Sequence, residues 1–137
     1  MAIDYGDKRI GIALSDPMHI ISYPFGIIKN INNNHSIDEI LKITGQKDVE
    51  TIVIGLPISM SGNYSVQTKK VILFKELLVE ELLDKNMSIT VNTIDERLSS
   101  VSAKNIMIKK GIKTGHNKGK IDELSAAIIL QEYLDSK

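Results

Sequence analysis

Residues 2–15 read AIDYGDKRIGIALS, and their pattern predicts the first half of a β-sheet. Two apolar segments, Ala2–Tyr5 and Arg9–Ser15, are separated by the turn signal Gly6-Asp7. Apolar runs joined by so few polar residues are typical of an antiparallel hairpin. A further extended segment runs from about Ile20 to Lys29. We therefore predict three consecutive antiparallel strands.

The next segments alternate between helical and strand patterns. Ser36-x-x-Glu39 has the form of a capping box and predicts the start of a helix that ends near Thr44. The β-branched run 51–54 predicts a buried strand, because it is followed by the loop residues Gly-Leu-Pro. Apolar residues recur at helical spacing between Ser65 and about Lys85, which predicts a long amphipathic helix.

The last third of the chain continues this alternation. Residues 88–94 are again β-branched and predict the final strand. Ser99 or Ser100 can cap a helix that reaches Lys110, and Gly111 is placed to end it. We interpret 111–119 as a Gly- and Lys-rich loop and 121–134 as the last helix.

The predicted order βββ–α–β–α–β–α–α indicates the fold class. Parallel strands need crossover helices, whereas the first three strands can pair as hairpins. We therefore expect an α/β protein with a mixed sheet, three antiparallel strands followed by two parallel strands, flanked by helices. At 137 residues the chain should form a single domain, 1–137.

Composition excludes several functional classes. Hydrophobic residues make up 42% and charged residues 25%, which is typical of a globular protein. Neither a long apolar run nor a secretory signal is visible, so we expect a cytoplasmic protein with no membrane partner. Cysteine is absent and only three His are present, scattered along the chain. Any metal should therefore be a hard cation on oxygen ligands rather than zinc.

One stretch of the chain is strongly basic. Arg97 to Ile121 contains seven Lys or Arg and one His but no Asp or Glu, although the net charge of the whole chain is zero. Carboxylates flank it, with Asp95 and Glu96 before it and Asp122 and Glu123 after it. A positive field with acids at its rim is typical of a site that holds a polyanion. The alternative interpretation is a solvated helix face and loop.

Candidate metal ligands stand at the ends of three predicted elements. Asp4 ends the first strand, Asp95-Glu96 ends the last strand, and Asp122 lies in the first turn of the last helix. Functional crevices of open α/β sheets lie at the carboxyl ends of strands, and clustered carboxylates favour bound cations. The alternatives are a turn side chain at Asp4, a favourable helix-dipole charge at Asp122 and a surface salt bridge at 95–97.

Four motifs in register resemble one bacterial family, YqgF, within the ribonuclease-H-like superfamily. They cover nearly the whole chain and are Asp4-Tyr5-Gly6-Asp7-Lys8-Arg9-Ile10-Gly11, Gly55-Leu56-Pro57 with Gly62, Asp95-Glu96-Arg97-Leu98-Ser99, and Lys118-Gly119-Lys120-Ile121-Asp122 followed by Ala126-Ala127. Members of this family are described as Holliday junction resolvases and as pre-16S rRNA nucleases. The resemblance therefore implies a ribonuclease-H-like nuclease domain.

The resemblance also implies which residues act in catalysis. The family's first and last catalytic, metal-binding carboxylates fall on Asp4 and Asp122, and the middle one falls on Asp95 or Glu96. Strand alternation along Val91, Thr93 and Asp95 does not choose between the two. The implied cofactor is a pair of Mg²⁺ or Mn²⁺ ions, which would activate water and stabilise the leaving oxygen. The implied reaction is hydrolysis of phosphodiester bonds, either at the 5′ end of precursor 16S rRNA or in a DNA four-way junction.

Basic residues near these carboxylates are candidates for binding nucleic-acid phosphates. They are Lys8, Arg9, Arg97, Lys113, Lys118 and Lys120. Arginine suits bidentate phosphate contacts, and the amides of a helix N-terminus would add to an anion site. Since aromatic residues make up only 4% of the chain, base stacking cannot be the main binding mode. We expect backbone and shape recognition of structured RNA or branched DNA.

Two other functions compete with a nuclease. Asp4-x-Gly6 with the following Lys8-Arg9 also resembles the phosphate loop of actin-like and sugar-kinase-like ATPases, but those proteins close two such domains around a nucleotide. A binding factor without catalysis, acting in transcription or ribosome assembly, would gain nothing from acids beside phosphates. A junction resolvase needs two symmetric cuts and favours a homodimer, whereas RNA trimming does not exclude a monomer.

Overall fold

A computed structural model of the chain describes residues 1–96 and 118–137, with the side chains of 118–120 left outside the description. Its elements in chain order are β1 Ala2–Tyr5, β2 Arg9–Ser15, β3 Ser22–Lys29, α1 Asn33–Gln46, β4 Thr51–Leu56, α2 Val66–Asp84, β5 Thr90–Asp95 and α3 Lys118–Asp135. The helix predicted between residues 99 and 110, with its stop at Gly111, lies outside the described residues.

The strands form one mixed sheet in the order β3-β2-β1-β4-β5. β1 pairs antiparallel with β2, and β2 pairs antiparallel with β3. β4 lies parallel to both β1 and β5. The predicted fold class, three antiparallel strands followed by two parallel strands, is confirmed. This topology brings the carboxyl ends of β1, β4 and β5 to one edge of the molecule.

Helices cover both faces of the sheet. On one face, α1 and α2 bury a core of branched and aromatic side chains that includes Ile3, Ile10 and Phe74. On the other face, α3 packs across β2, β3, β1 and β4. This second core is built mostly of small residues, among them Ala2, Ala13 and Ala126. Small side chains on both surfaces allow the helix backbone to approach the sheet closely, which matters for the position of Asp122.

The start of α2 agrees with the sequence, but the start of α1 does not. Ser65 caps α2 and exchanges hydrogen bonds with Thr68 in a full capping box. In α1 the cap is Asn32, whose side chain accepts from the His35 amide. The predicted cap Ser36 is instead buried inside the helix and donates to the Asn30 side chain at 2.8 Å. The capping-box prediction at Ser36 is therefore wrong, because Asn caps as well as Ser and stands one turn earlier.

The last helix also begins earlier than predicted. The described part of α3 runs from Lys118, so Lys118 and Gly119 belong to the helix rather than to the loop. Asp122 consequently lies beyond the first turn of the helix. None of the helices in the described ranges combines the length and the low polarity that crossing a membrane requires.

Candidate active site at the carboxyl ends of the strands

Asp4 occupies the end of β1, directly opposite Gly11 of β2. The chain then turns sharply at Gly6, where an added Cβ would lie 2.6 Å from the Arg9 carbonyl oxygen. The Asn30 side chain fixes this turn by donating to the Gly6 carbonyl at 2.8 Å. Asp4 is thus held at the end of a hydrogen-bonded hairpin, with its side chain partly buried at the edge of the sheet.

Glu96 follows β5 and turns toward the interior. Its amide donates to the Leu56 carbonyl at 3.2 Å, which extends the pairing of β5 with β4 by one residue. The side chain lies over Gly55, where an added Cβ would be 2.4 Å from Glu96 Oε2. The same Cβ would be 2.5 Å from Ile129 Cδ1 of α3. The missing side chain at residue 55 therefore creates the space that the Glu96 carboxyl group fills.

Asp95 has a different environment from Glu96. Asp95 is exposed, whereas Oε2 of Glu96 is buried. The charge of Asp95 acts on two neighbours, since it helps to raise the pKa of Glu96 and, after burial, the pKa of Glu132 on α3. Of the two candidates for the middle carboxylate, Glu96 is the one that contacts Asp4.

Asp4 and Glu96 are hydrogen-bonded to each other. Burial, followed by the negative charge of Asp4, raises the pKa of Glu96 to about 9. Burial also raises the pKa of Asp4, to about 6. The hydrogen bond with Glu96 lowers this pKa in part, and the negative charge of Asp122 raises it further. Both pKa values are raised, so the pair shares one proton near neutral pH. Two carboxyl groups in contact must share a proton unless a cation neutralises them.

Asp122 completes the acidic group from the helix side. An added Cβ at Gly11 would lie 2.1 Å from the Asp122 carbonyl oxygen, so α3 rests directly on the backbone of β2. The Asp122 carboxylate accepts a hydrogen bond from Arg9 Nε at 3.0 Å, within a partly exposed ion pair. Arg9 and Asp4 stand on the paired strands β2 and β1, so the guanidinium joins the same edge of the sheet.

These carboxylates suit a hard divalent cation by their chemistry. Oxygen ligands are what Mg²⁺ prefers, and the proton shared by Asp4 and Glu96 marks the place where positive charge is favoured. Within residues 1–96 and 118–137, no three His, Cys, Asp or Glu side chains are already gathered around a single point. Two of the three candidate ligands are in contact, while the third is bonded to Arg9.

The predicted phosphate-binding residues have different positions. Lys8 is exposed in the turn between β1 and β2, and Arg9 pairs with Asp122. Lys118 and Lys120 belong to the first turn of α3. Arg97 and Lys113, together with most of the basic stretch, lie outside the described residues.

Sequence reasoning quoted Gly11 and Gly55 within the motifs but did not assign them a role in positioning the carboxylates. Gly11 and Gly55 sit inside β2 and β4, and a glycine within a strand often marks a close approach of another group. That signal was present in the sequence but does not identify the approaching residue. No local sequence pattern predicts the ion pair between Arg9 and Asp122, because the two residues are separated by 113 positions.

Comparison with known proteins gives relatives over the full length. "Putative pre-16S rRNA nuclease" is the name of a protein from Desulforamulus reducens that is 36% identical over 99% of this chain and 96% of its own length. Proteins of the same name from Roseiflexus sp. and Endomicrobium trichonymphae are 37% and 41% identical, over 100% and 98% of this chain and 94% of their own lengths.

Two solved structures share the fold at low sequence identity. A Fowlpox virus resolvase in complex with Holliday junction DNA has a TM-score of 0.56 at 12% identity, covering 98% of this chain and 95% of its own. Thermus thermophilus RuvC with a Holliday junction substrate has a TM-score of 0.55 at 10% identity, covering 98% and 91%. The fold is therefore ribonuclease-H-like, as the motifs implied.

The family of this chain is identified by a family model that matches nearly all of its residues. The family model for RuvX, described as Holliday junction resolvase, matches residues 1–136. This match agrees with the resemblance to YqgF proteins, because RuvX and YqgF are two names of the same family. The chain belongs to the RuvX family of Holliday junction resolvases.

Proposed function

We propose that this chain is a single-domain, metal-dependent nuclease of the cytoplasm that trims the 5′ end of precursor 16S rRNA. The observation that carries the proposal is the hydrogen-bonded contact between Asp4 and Glu96, with the charge of Asp122 acting on Asp4. Buried like charges are costly unless a cation offsets them, and they serve no purpose in a protein that only binds phosphates. The names of the full-length relatives supply the RNA substrate.

In this proposal Asp4, Glu96 and Asp122 are the carboxylates that hold Mg²⁺ or Mn²⁺. A pair of such ions supplies an activated water and stabilises the leaving oxygen of the phosphodiester. Glu96 takes the middle position rather than Asp95, because its side chain reaches Asp4 through the space above Gly55. Asp95 is exposed and serves to add negative charge at the rim.

The chain's own groups prepare the site in two ways. Asp4 and Glu96 would release their shared proton to solvent when a divalent cation is bound between them, since both carboxyl groups could then ionise. Gly11 and the small residues under α3 hold the backbone of Asp122 against β2, on the same side of the sheet as Arg9. Lys8, Arg97, Lys113, Lys118 and Lys120 are proposed to contact phosphates around this centre.

A DNA four-way junction is the second candidate substrate. The description of the matching family favours it, and so does the fold shared with proteins solved on junction DNA. Junction resolution would require a homodimer, whereas trimming of RNA could be performed by a monomer. The third candidate, a binding factor without catalysis, predicts binding of either substrate with no cleavage.

One experiment separates these candidates. Purified protein is incubated with precursor 16S rRNA and with a synthetic four-way junction, each with Mg²⁺, Mn²⁺ or EDTA, and its oligomeric state on each substrate is measured. Asp4→Asn and Asp122→Asn should abolish metal-dependent cleavage while binding stays equal or becomes tighter, because each removes a negative charge near phosphate. Undiminished cleavage by either variant would refute the assignment of the site.

A further inference from the structure

An open groove lies beside the carboxylates, between the first turn and the edge strand β3. Its lining includes Lys8, Arg9, Ile27, Lys29 and Ile31. The carboxylate of Asp7, which also borders it, is paired with Lys70 of α2 at 3.2 Å. The remaining charged groups of the lining are the cations Lys8, Arg9 and Lys29, so positive side chains outnumber negative ones in the groove.

Two of these cations face each other directly across a pair of strands. Arg9 of β2 and Lys29 of β3 are register partners. Side chains in such positions begin about 5 Å apart, and like charges there destabilise the sheet. Asp122 offsets Arg9 at 3.0 Å, whereas Lys29 has no ion-pair partner in the described part of the chain. A bound anion would relieve the repulsion between Arg9 and Lys29.

The backbone around the groove is well fixed. The Asn30 amide donates to the Lys8 carbonyl at 2.9 Å, and the Asn30 side chain donates to the Gly6 carbonyl at 2.8 Å. Ser36 of α1 donates to the same side chain of Asn30 at 2.8 Å. The cations are therefore presented from a preorganised turn and strand, which lowers the entropy lost when an anion binds.

We propose that Lys8, Arg9 and Lys29 form a subsite for one phosphate of the nucleic-acid backbone, and that this phosphate replaces Asp122 as the partner of Arg9. The inference builds on the proposed nuclease function and adds Lys29 to its binding residues. It also assigns a role to the ion pair between Arg9 and Asp122, which would exist only in the absence of substrate. Without substrate, Arg9 holds Asp122; with phosphate in the groove, the carboxylate becomes available to Asp4 and Glu96.

The first part of the test measures binding without any metal. Affinity for a short RNA duplex is determined in EDTA at several KCl concentrations for the wild type, Lys8→Gln and Lys29→Gln. Each neutralisation should reduce the slope of log affinity against log salt by about one unit, the effect of one phosphate contact on a duplex. Lys47→Gln is the matched control, because Lys47 is equally charged and exposed but borders a cavity at the opposite end of the sheet.

The outcomes of this part distinguish two failures. If the wild type binds but Lys8→Gln and Lys29→Gln keep its slope, the groove inference is wrong while the proposed nuclease function survives. If the wild type binds neither the duplex nor a four-way junction, the proposed function fails as a whole. Melting temperatures of the three variants should match the wild type, since all three positions are exposed.

The second part tests the exchange at Arg9 by a double-mutant cycle. If Asp122 competes with phosphate for Arg9, then Asp122→Asn should tighten metal-free binding roughly two- to fivefold, the value of a partly exposed ion pair. In an Arg9→Gln background the same change should tighten binding much less. Asp95→Asn serves as the control for general charge repulsion and should act equally in both backgrounds. Equal gains for Asp122→Asn in both backgrounds would overturn the exchange.

Discussion

The close approach of α3 to β2 gives a sharp prediction at Gly11. A Cβ at this position would lie 2.1 Å from the Asp122 carbonyl oxygen and 2.5 Å from the carbonyl carbon, whereas real Cβ atoms essentially never approach a non-bonded heavy atom within 3.0 Å. The obstacle is backbone rather than a flexible side chain. In Gly11→Ala the start of α3 must therefore retreat from the sheet by roughly 1 Å, which is a form of overpacking.

The expected loss of stability follows from that displacement. Overpacking of this kind costs about 1–3 kcal/mol of unfolding free energy. For a chain of this length the melting temperature should fall on the order of 4–12 °C. Cleavage should fall further than stability explains, because Asp122 moves with the helix. Both can be measured at a temperature at which the variant remains folded by circular dichroism.

Gly26→Ala is the matched control for this experiment. Gly26 lies on the neighbouring strand β3, where an added Cβ would meet nothing within 4 Å. This variant should be unchanged or stabilised by up to about 1 kcal/mol, because alanine restricts the unfolded chain. If Gly11→Ala melts like Gly26→Ala, the contact between α3 and β2 is not as tight as argued. If Gly11→Ala loses stability but cleaves normally, the position of Asp122 is not important for catalysis.

Three further predictions concern the carboxyl pair and the second helix. Glu96→Gln should abolish cleavage and Asp95→Asn should reduce it mildly in the same assay; the reverse order would make Asp95 the middle carboxylate. Because the folded pKa of Glu96 is raised to about 9, the folded state holds the extra proton, and the metal-free protein should lose stability as pH rises from about 5 to 9. Melting curves across that range should show a shallower loss for Glu96→Gln, and parallel curves for both proteins would contradict the raised pKa. Ser65→Ala removes the cap of α2 and should cost about 1 kcal/mol in urea unfolding, whereas an unchanged midpoint would show that Thr68 caps the helix alone.

Local patterns in the sequence predicted the helices and strands well where no second residue nearby offered a competing start or end. The hairpin of β1 and β2 has the bounds that its apolar runs and turn residues predict. The error at Ser36 arose because two capping residues stand one turn apart and the sequence does not rank them. The late start predicted for α3 followed from interpreting Lys118 and Gly119 as loop residues, although helix formation there is stabilised by packing of the following turns.

The site was predictable as a set of residues but not as a geometry. The motifs marked Asp4, Asp122 and the adjacent pair Asp95 and Glu96 as candidate ligands. The choice between Asp95 and Glu96 required knowledge of the opposite face of β5, where Asn92 donates to Tyr133 and Ile94 packs beneath α3. Glu96 continues that face into the space over Gly55. Such information comes from tertiary packing, which no local pattern contains.

The order of strands also has a consequence for how the protein becomes active during folding. β1 and β2 can pair as soon as a local hairpin forms, but the parallel pairings of β4 with β1 and β5 require long crossovers to close. Contacts of such large sequence separation form slowly. Asp4 on β1 and Glu96 after β5 are brought together through these parallel pairings, and Asp122 joins them when α3 packs on β2. A partly folded chain would therefore carry every candidate ligand without the assembled site, so under the proposed function we expect cleavage to appear only after the parallel pairings have formed.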